Sequence, residues 1–278
     1  MNSILGIHGI WNHGYYSGHR KNADAAAAAM TDDWAEALGG VLPSDAALRV
    51  CYYSHLLHRG TAQSPDDPET LDDDEQDMLI MVGDLLTERI SGGPVPIAQG
   101  TRTVRARAAA EMITRRFGPQ ARVLAMAFCR EVNCYQSKPR RRARTQETLA
   151  AAVAEHRPRV LIAHSLGSVI AYETLWSRPD LHVDLLITLG SPLGMPTVVF
   201  DRLKPSPEGG RGSRPPGVRR WVNLADIGDF VAVPPTLALK FDGIGHDAEV
   251  VVGEWAAHGA RHYLANDDVR EAILHGLP

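Results

Sequence analysis

Cysteine is scarce in this chain: three residues in 278, at Cys51, Cys129 and Cys134. An odd number with no CxxC spacing argues against a disulfide frame or a zinc site and fits reduced thiols. An excess of one charge is also missing. Lys and Arg total 29 against 33 Asp and Glu, a formal net charge of -4, so no basic surplus is available for nucleic acid as the main partner. No apolar run approaches the roughly 18 residues of a membrane span, so no integral membrane segment is expected. The opening MNSILGIHG has no basic n-region, and its apolar run is too short for a signal peptide. There are no internal repeats and no domain linker. What is left is a globular chain, expected in the cytoplasm, with 44% hydrophobic residues, enough to bury one sizeable core.

What is present centres on VLIAHSLGSVIAYETL, residues 160–175. A β-branched and apolar run meets Ser165 and turns into a helix with no spacer. Ala163 and Gly167 flank the serine at minus two and plus two, where larger side chains would collide as strand and helix cross. Such a turn holds its central residue in a strained conformation, lifts the hydroxyl above the sheet edge, and aims the first helical N–H groups at the same place. The pattern is G-x-S-x-G with Ala for the first Gly, a position that needs only smallness.

Along the chain, strand 3–7 delivers into HGIWNHG, followed by helix 23–39 and strand 47–53, the start of a parallel sheet. From 56 to about 140 the alternation stops. Residues 64–77 carry eight acidic side chains and read as an exposed loop. Helical stretches follow at 75–90, 98–117 and 125–135, a helical cap or lid inserted between strands. Met78, Met81, Val82, Leu85 and Leu86 form a stripe that either packs on a core or walls a substrate pocket. KPRRRAR, 138–144, reads as a solvated loop before helix 145–156. Alternation resumes with strand 159–164, helix 166–177, strand 184–189, a Pro/Gly/Arg-rich loop at 205–217, strand 218–224, strand 248–253, the loop EWAAHG and a final helix 260–275. The expected fold class is α/β: a mostly parallel sheet of six strands or slightly more, with helices on both faces.

On this map the polar residues fall at carboxyl ends of strands: His8-Gly9-Ile10-Trp11 after the first, Ser165 at the elbow, Asp226 and Asp229 after 218–224, and His258 after the last. The order Ser, acid, His is that of a triad on an α/β-hydrolase sheet. A serine hydroxyl is a weak nucleophile at neutral pH. It needs an imidazole to take its proton and a buried carboxylate to set the tautomer. His258 is the expected base, with His262 the alternate. Asp229 is the expected acid, and Asp226 the alternate, a loop-capping carboxylate if not the acid. The N–H groups of Leu166 and Ile10, with Trp11 as alternate, are the expected oxyanion donors. His164 reads as an elbow filler pointing into the core, and His8 as shaping the oxyanion loop. His8, His13 and His19, spaced five and six apart, fit no usual metal-ligand pattern. Asp24, Asp32 and Asp33 read as helix caps. No cofactor and no metal are implied.

These segments resemble the α/β-hydrolase superfamily on its lipase/esterase side, and are similar to the lipase-like branch that includes the GPI inositol-deacylase relatives. IHGIW resembles that family's oxyanion loop, IAHSLGSVIAYE its nucleophile elbow, TLGSPLG the following strand and loop, WVNLADIGDFVAV the acid segment and HGARHYL the histidine segment. The likeness covers nearly everything outside the insertion. The family's first two strands are missing, and position 168 is Ser where lipases often carry a second Gly. The resemblance implies a serine hydrolase acting on an ester or thioester, with an acyl or otherwise hydrophobic small-molecule substrate. An acyltransferase or cyclising thioesterase with the same triad, and an inactive binding protein of the same fold, remain open at this point.

Overall fold

Every residue of Val160–His164 is buried, which requires cover on both faces and a partner strand on each side. The chain supplies both. A computed structural model describes residues 2–60, 64, 66–93, 99–253 and 258–277. In chain order the elements are β1 (Asn2–Ile7), α1 (His13–Gly18), α2 (Ala23–Leu38), β2 (Ala46–Cys51), the single turn α3 (Ser54–Leu57), α4 (Asp73–Ser91), α5 (Arg102–Phe117), α6 (Pro119–Ser137), α7 (Pro139–His156) and β3 (Val160–His164). Then come α8 (Leu166–Ser177), β4 (Val183–Leu189), β5 (Gly212–Ser213), β6 (Val218–Asp226), β7 (Phe241–Asp242), β8 (His246–Val250), α9 (Ala260–Ala265) and α10 (Asp267–Leu274). Two compact units result, Met1–Leu56 with Ala143–Pro278, and Leu57–Arg142.

The first unit is an α/β sheet of six parallel strands in the order β2-β1-β3-β4-β6-β8, flanked by helices. Alternate side chains sort to opposite faces. One face gathers Ile4, Ile162, Ile187 and Leu224 with Trp34 and Met30 of α2, Tyr263 and Leu264 of α9, and Val269 and Ile273 of α10. On the other face Trp221 stands 6.1 Å from the Tyr172 ring of α8 and 5.4 Å from Phe241 of β7. Gly6 has no side chain because Trp34 lies over it; a Cβ there would come to 2.5 Å from the indole. Because all six strands run the same way, Ile7, His164, Leu189, Asp226 and Val250 end at one edge of the sheet. That edge receives every residue of the expected triad.

In the second unit α4, α5 and α6 pack against one another. Met78, Val82 and Leu86 of the apolar stripe are buried there with Ile113, Phe128 and Val132. A capping box starts α4: Asp72 accepts the Glu75 N–H, and Glu75 accepts the Asp72 N–H. The acidic loop therefore ends at Asp72, earlier than expected.

Several expectations are corrected. KPRRRAR is helical from Pro139, since Pro suits a first helical turn and Arg is a good helix former; Arg142 is buried, its guanidinium over the Tyr135 ring. The last helix is two, because the Asn266 side chain accepts the Asp268 and Val269 N–H groups and restarts the helix as α10. The last strand is 246–250 where 248–253 was expected. Asn22 caps α2 by accepting the Ala25 N–H, while Asp33 lies within the helix and accepts the Tyr15 hydroxyl. Residue 98 of the expected second helix and residues 254–257 of EWAAHG lie outside the described residues.

Trp34 is buried where α2 meets the sheet. Trp34→Ala is expected to lower stability by about 3–5 kcal/mol, read as a shift in denaturant midpoint at constant m-value.

Candidate active site

Ser165 stands where β3 becomes α8, with φ 52 and ψ -129. A positive φ is costly for a residue with a Cβ, and its surroundings hold it there. The Ser165 N–H donates to the Leu189 carbonyl at 3.0 Å, tying the turn to β4. Ser168 donates through Oγ to the Ser165 carbonyl at 2.6 Å and lies 2.6 Å from the Ser191 hydroxyl, which accepts the Leu193 N–H. Ser168 thus pins the turn. Gly167 needs its smallness: a Cβ there would lie 2.5 Å from the His8 carbonyl oxygen.

The hydroxyl meets an imidazole. Ser165 Oγ lies 2.7 Å from His258 Nε2, and His258 Nδ1 lies 2.8 Å from Asp229 Oδ2 and 3.0 Å from Oδ1. An ionised carboxylate only accepts, so Nδ1 carries the proton and Nε2 offers its lone pair to the serine. Exposure is 0% for Ser165, 1% for Asp229 and 5% for His258, so these bonds lie out of water, where they are strongest. Burial pushes the Asp229 carboxyl up. The charge and hydrogen bond of His258, the Val231 N–H at 2.9 Å and the Tyr263 hydroxyl at 2.9 Å outweigh burial and hold it below the usual aspartate range. Gly190 makes this possible, because a Cβ there would come to 2.7 Å from Asp229 Oδ2.

Of the other expected residues, Asp226 does not meet the imidazole. It closes its own loop by accepting the Gly228 N–H at 2.6 Å and reaches across to the Val252 N–H at 2.7 Å. His262 is exposed on α9. Gly9 packs so closely on Ser165 that a Cβ there would come to 2.6 Å from its Cβ. The carbonyls of this loop are taken. His8 Nδ1–H, the Tyr53 hydroxyl and the Asn12 amide donate to the Gly9 oxygen at 2.7, 3.2 and 3.1 Å; the Asn12 amide also donates to the Ile10 oxygen at 2.7 Å. The Tyr52 hydroxyl donates to the Asn12 oxygen at 2.8 Å. His8 Nε2 accepts the Tyr53 N–H at 3.1 Å, which sets the tautomer. With the carbonyls held, the Ile10 N–H is left without an acceptor among the described residues, as is that of Leu166. Trp11 adopts φ 61 and its side chain is exposed.

Tyr52, Tyr53, Asn12, Ser191 and Tyr263 were missed in the sequence. Nothing in the spacing of these residues marks them, and only HGARHYL, carrying Tyr263 five places after His258, held a hint. Among the described residues no three His, Cys, Asp or Glu side chains are grouped to hold a metal ion, and no helix is long and apolar enough to cross a membrane.

Two further imidazoles flank the triad, and both are neutral. Burial lowers His8 to about 4 and His164 to about 3, in each case against a neighbouring backbone hydrogen bond that pulls the other way. In the unfolded chain both would take up a proton near 6.5. As pH falls below that value the unfolded state binds protons that the folded state refuses, so stability falls. The loss continues to about 4 for His8 and about 3 for His164, with up to about 1.4 kcal/mol per pH unit from each. Denaturant midpoints taken from pH 7.5 to pH 5 are expected to hold down to about 6.5 and then to drop, with a shallower slope in His164→Gln.

Comparison of the chain with family models, curated proteins and solved structures returns no match.

Proposed function

We propose that this chain is a serine hydrolase of the α/β-hydrolase kind that cleaves a carboxylic ester or thioester through an acyl-enzyme. The observation that carries the reading is the unbroken relay from Ser165 Oγ through His258 to Asp229, at 2.7 and 2.8 Å, beside two N–H groups with no acceptor among the described residues. Ser165 attacks the acyl carbon while His258 Nε2 takes its proton. Asp229 keeps Nδ1 protonated and favours the imidazolium that forms. The oxyanion develops toward the N–H groups of Ile10 and Leu166, each of which is worth about 10²–10³ in rate in comparable sites. His258 then returns its proton to the leaving alcohol or thiol. Water, deprotonated by the same imidazole, releases the acyl group and restores the serine. The substrate class is an acyl ester or thioester.

A fluorophosphonate probe is expected to label wild-type protein at Ser165 alone, located by mass spectrometry, with labelling abolished in Ser165→Ala and reduced by about 10³ or more in His258→Ala. Labelling that persists in Ser165→Ala, or none in the wild type, would overturn the reading. Tyr263→Phe removes one charge-assisted bond to Asp229 and leaves the Asp226 N–H, which the hydroxyl accepts at 2.9 Å, unpaired; it is expected to slow labelling by about tenfold and to lower stability by about 1–3 kcal/mol, read as a lower melting temperature.

A further inference from the structure

The residue before the nucleophile does more than fill the elbow. His164 Nε2–H donates to the main-chain carbonyl of His258 at 2.7 Å, and the two rings lie 5.0 Å apart. Among the described residues this is the one main-chain hydrogen bond that His258 makes. The His258 backbone is in a loop and belongs to no helix or strand, so its regular structure does not register it. The partner that does is adjacent in sequence to the nucleophile. Consecutive side chains of an extended strand point to opposite faces. Ser165 and His164 reach the same residue because the backbone reverses at Ser165, φ 52.

We infer that His164 is a positioning residue for the base: elbow and base are joined at two points, Ser165 Oγ to the His258 ring and His164 Nε2–H to the His258 carbonyl. Neutral His164 keeps a single proton, and a carbonyl partner requires it on Nε2. Its Nδ1 is buried without a hydrogen-bond partner among the described residues and faces Gly9, whose Cβ position would lie 2.7 Å away. A larger residue at position 9 would push on this ring as well as on Ser165. His164 therefore lies between the oxyanion loop and the base, and its ring sets their spacing. Since it touches no reacting atom, it acts through His258. This role rests on the serine hydrolase reading above.

The test uses the rate of fluorophosphonate labelling at Ser165 in the full chain. His164→Phe keeps a ring and loses the donor. It is expected to slow labelling by about 10- to 100-fold, the scale of a misplaced catalytic group. His164→Gln, whose amide nitrogen can reach the Nε2 position, is expected to label within about threefold of wild type; His164→Asn, whose shorter amide cannot, is expected to resemble Phe. In a His258→Ala background His164→Phe is expected to cost nothing more, because a residue that acts through His258 has nothing left to position. Equal rates for Gln and Asn, wild-type labelling by Phe, or the same fold-loss with and without His258 would each overturn the inference. The Gln and Asn pair keeps it testable should Phe not fold. An unlabelled wild type would instead sink the hydrolase reading itself, so the two failures are distinguishable.

Discussion

The backbone reversal at Ser165 is the constraint on which the other features of the site depend. A residue with a Cβ is held at φ 52 between the most buried strand and the helix it feeds. Such a conformation costs about 1–3 kcal/mol and persists only where its surroundings over-determine it. They do so here by subtraction as well as by bonding. Gly9, Gly167 and Gly190 leave gaps that a Cβ would close to between 2.5 and 2.7 Å from neighbouring atoms. The bonds among Ser165, Ser168, Ser191 and Leu189 then fasten the turn to β4 and to the start of the next loop. Without the reversal, Ser165 and His164 could not both reach His258.

Electrostatics supply the second requirement. A carboxylate at 1% exposure is expensive unless it is paired and fully hydrogen-bonded. Asp229 is bonded by the His258 imidazole, the Val231 N–H and the Tyr263 hydroxyl, and the sum lowers its pKa despite burial. His8 and His164 solve the opposite problem. With burial against the charged form, both stay neutral, so neither places a permanent positive charge beside the His258 ring. The loop after β1 follows the same economy: the carbonyls of Gly9, Ile10 and Asn12 each accept from a tyrosine, an imidazole or an amide.

Much of this was legible before any coordinates. The strand-to-helix transition was visible because a continuous apolar run ends abruptly at Ser165, and the sheet's parallel order followed from the alternation of strands and helices. The polar residues at strand ends were named because a parallel sheet collects such ends at one edge. Charge content misled at KPRRRAR, where helical propensity prevailed, and the single long helix expected at 260–275 hid a side-chain cap at Asn266.

The sequence by itself determined the strand-to-helix turn at Ser165, its small flanking residues and the succession Ser, Asp, His, since these are local chemistry and chain order. Only tertiary structure decided between Asp229 and Asp226, three residues apart at the end of one strand, and between His258 and His262. It also recruited Tyr263, Tyr53 and Ser191 around them. The reason is that a hydrogen bond is set by distances of a few tenths of an ångström between residues up to 94 positions apart in this site, and such distances exist only once the sheet register and the packing of its loops are in place.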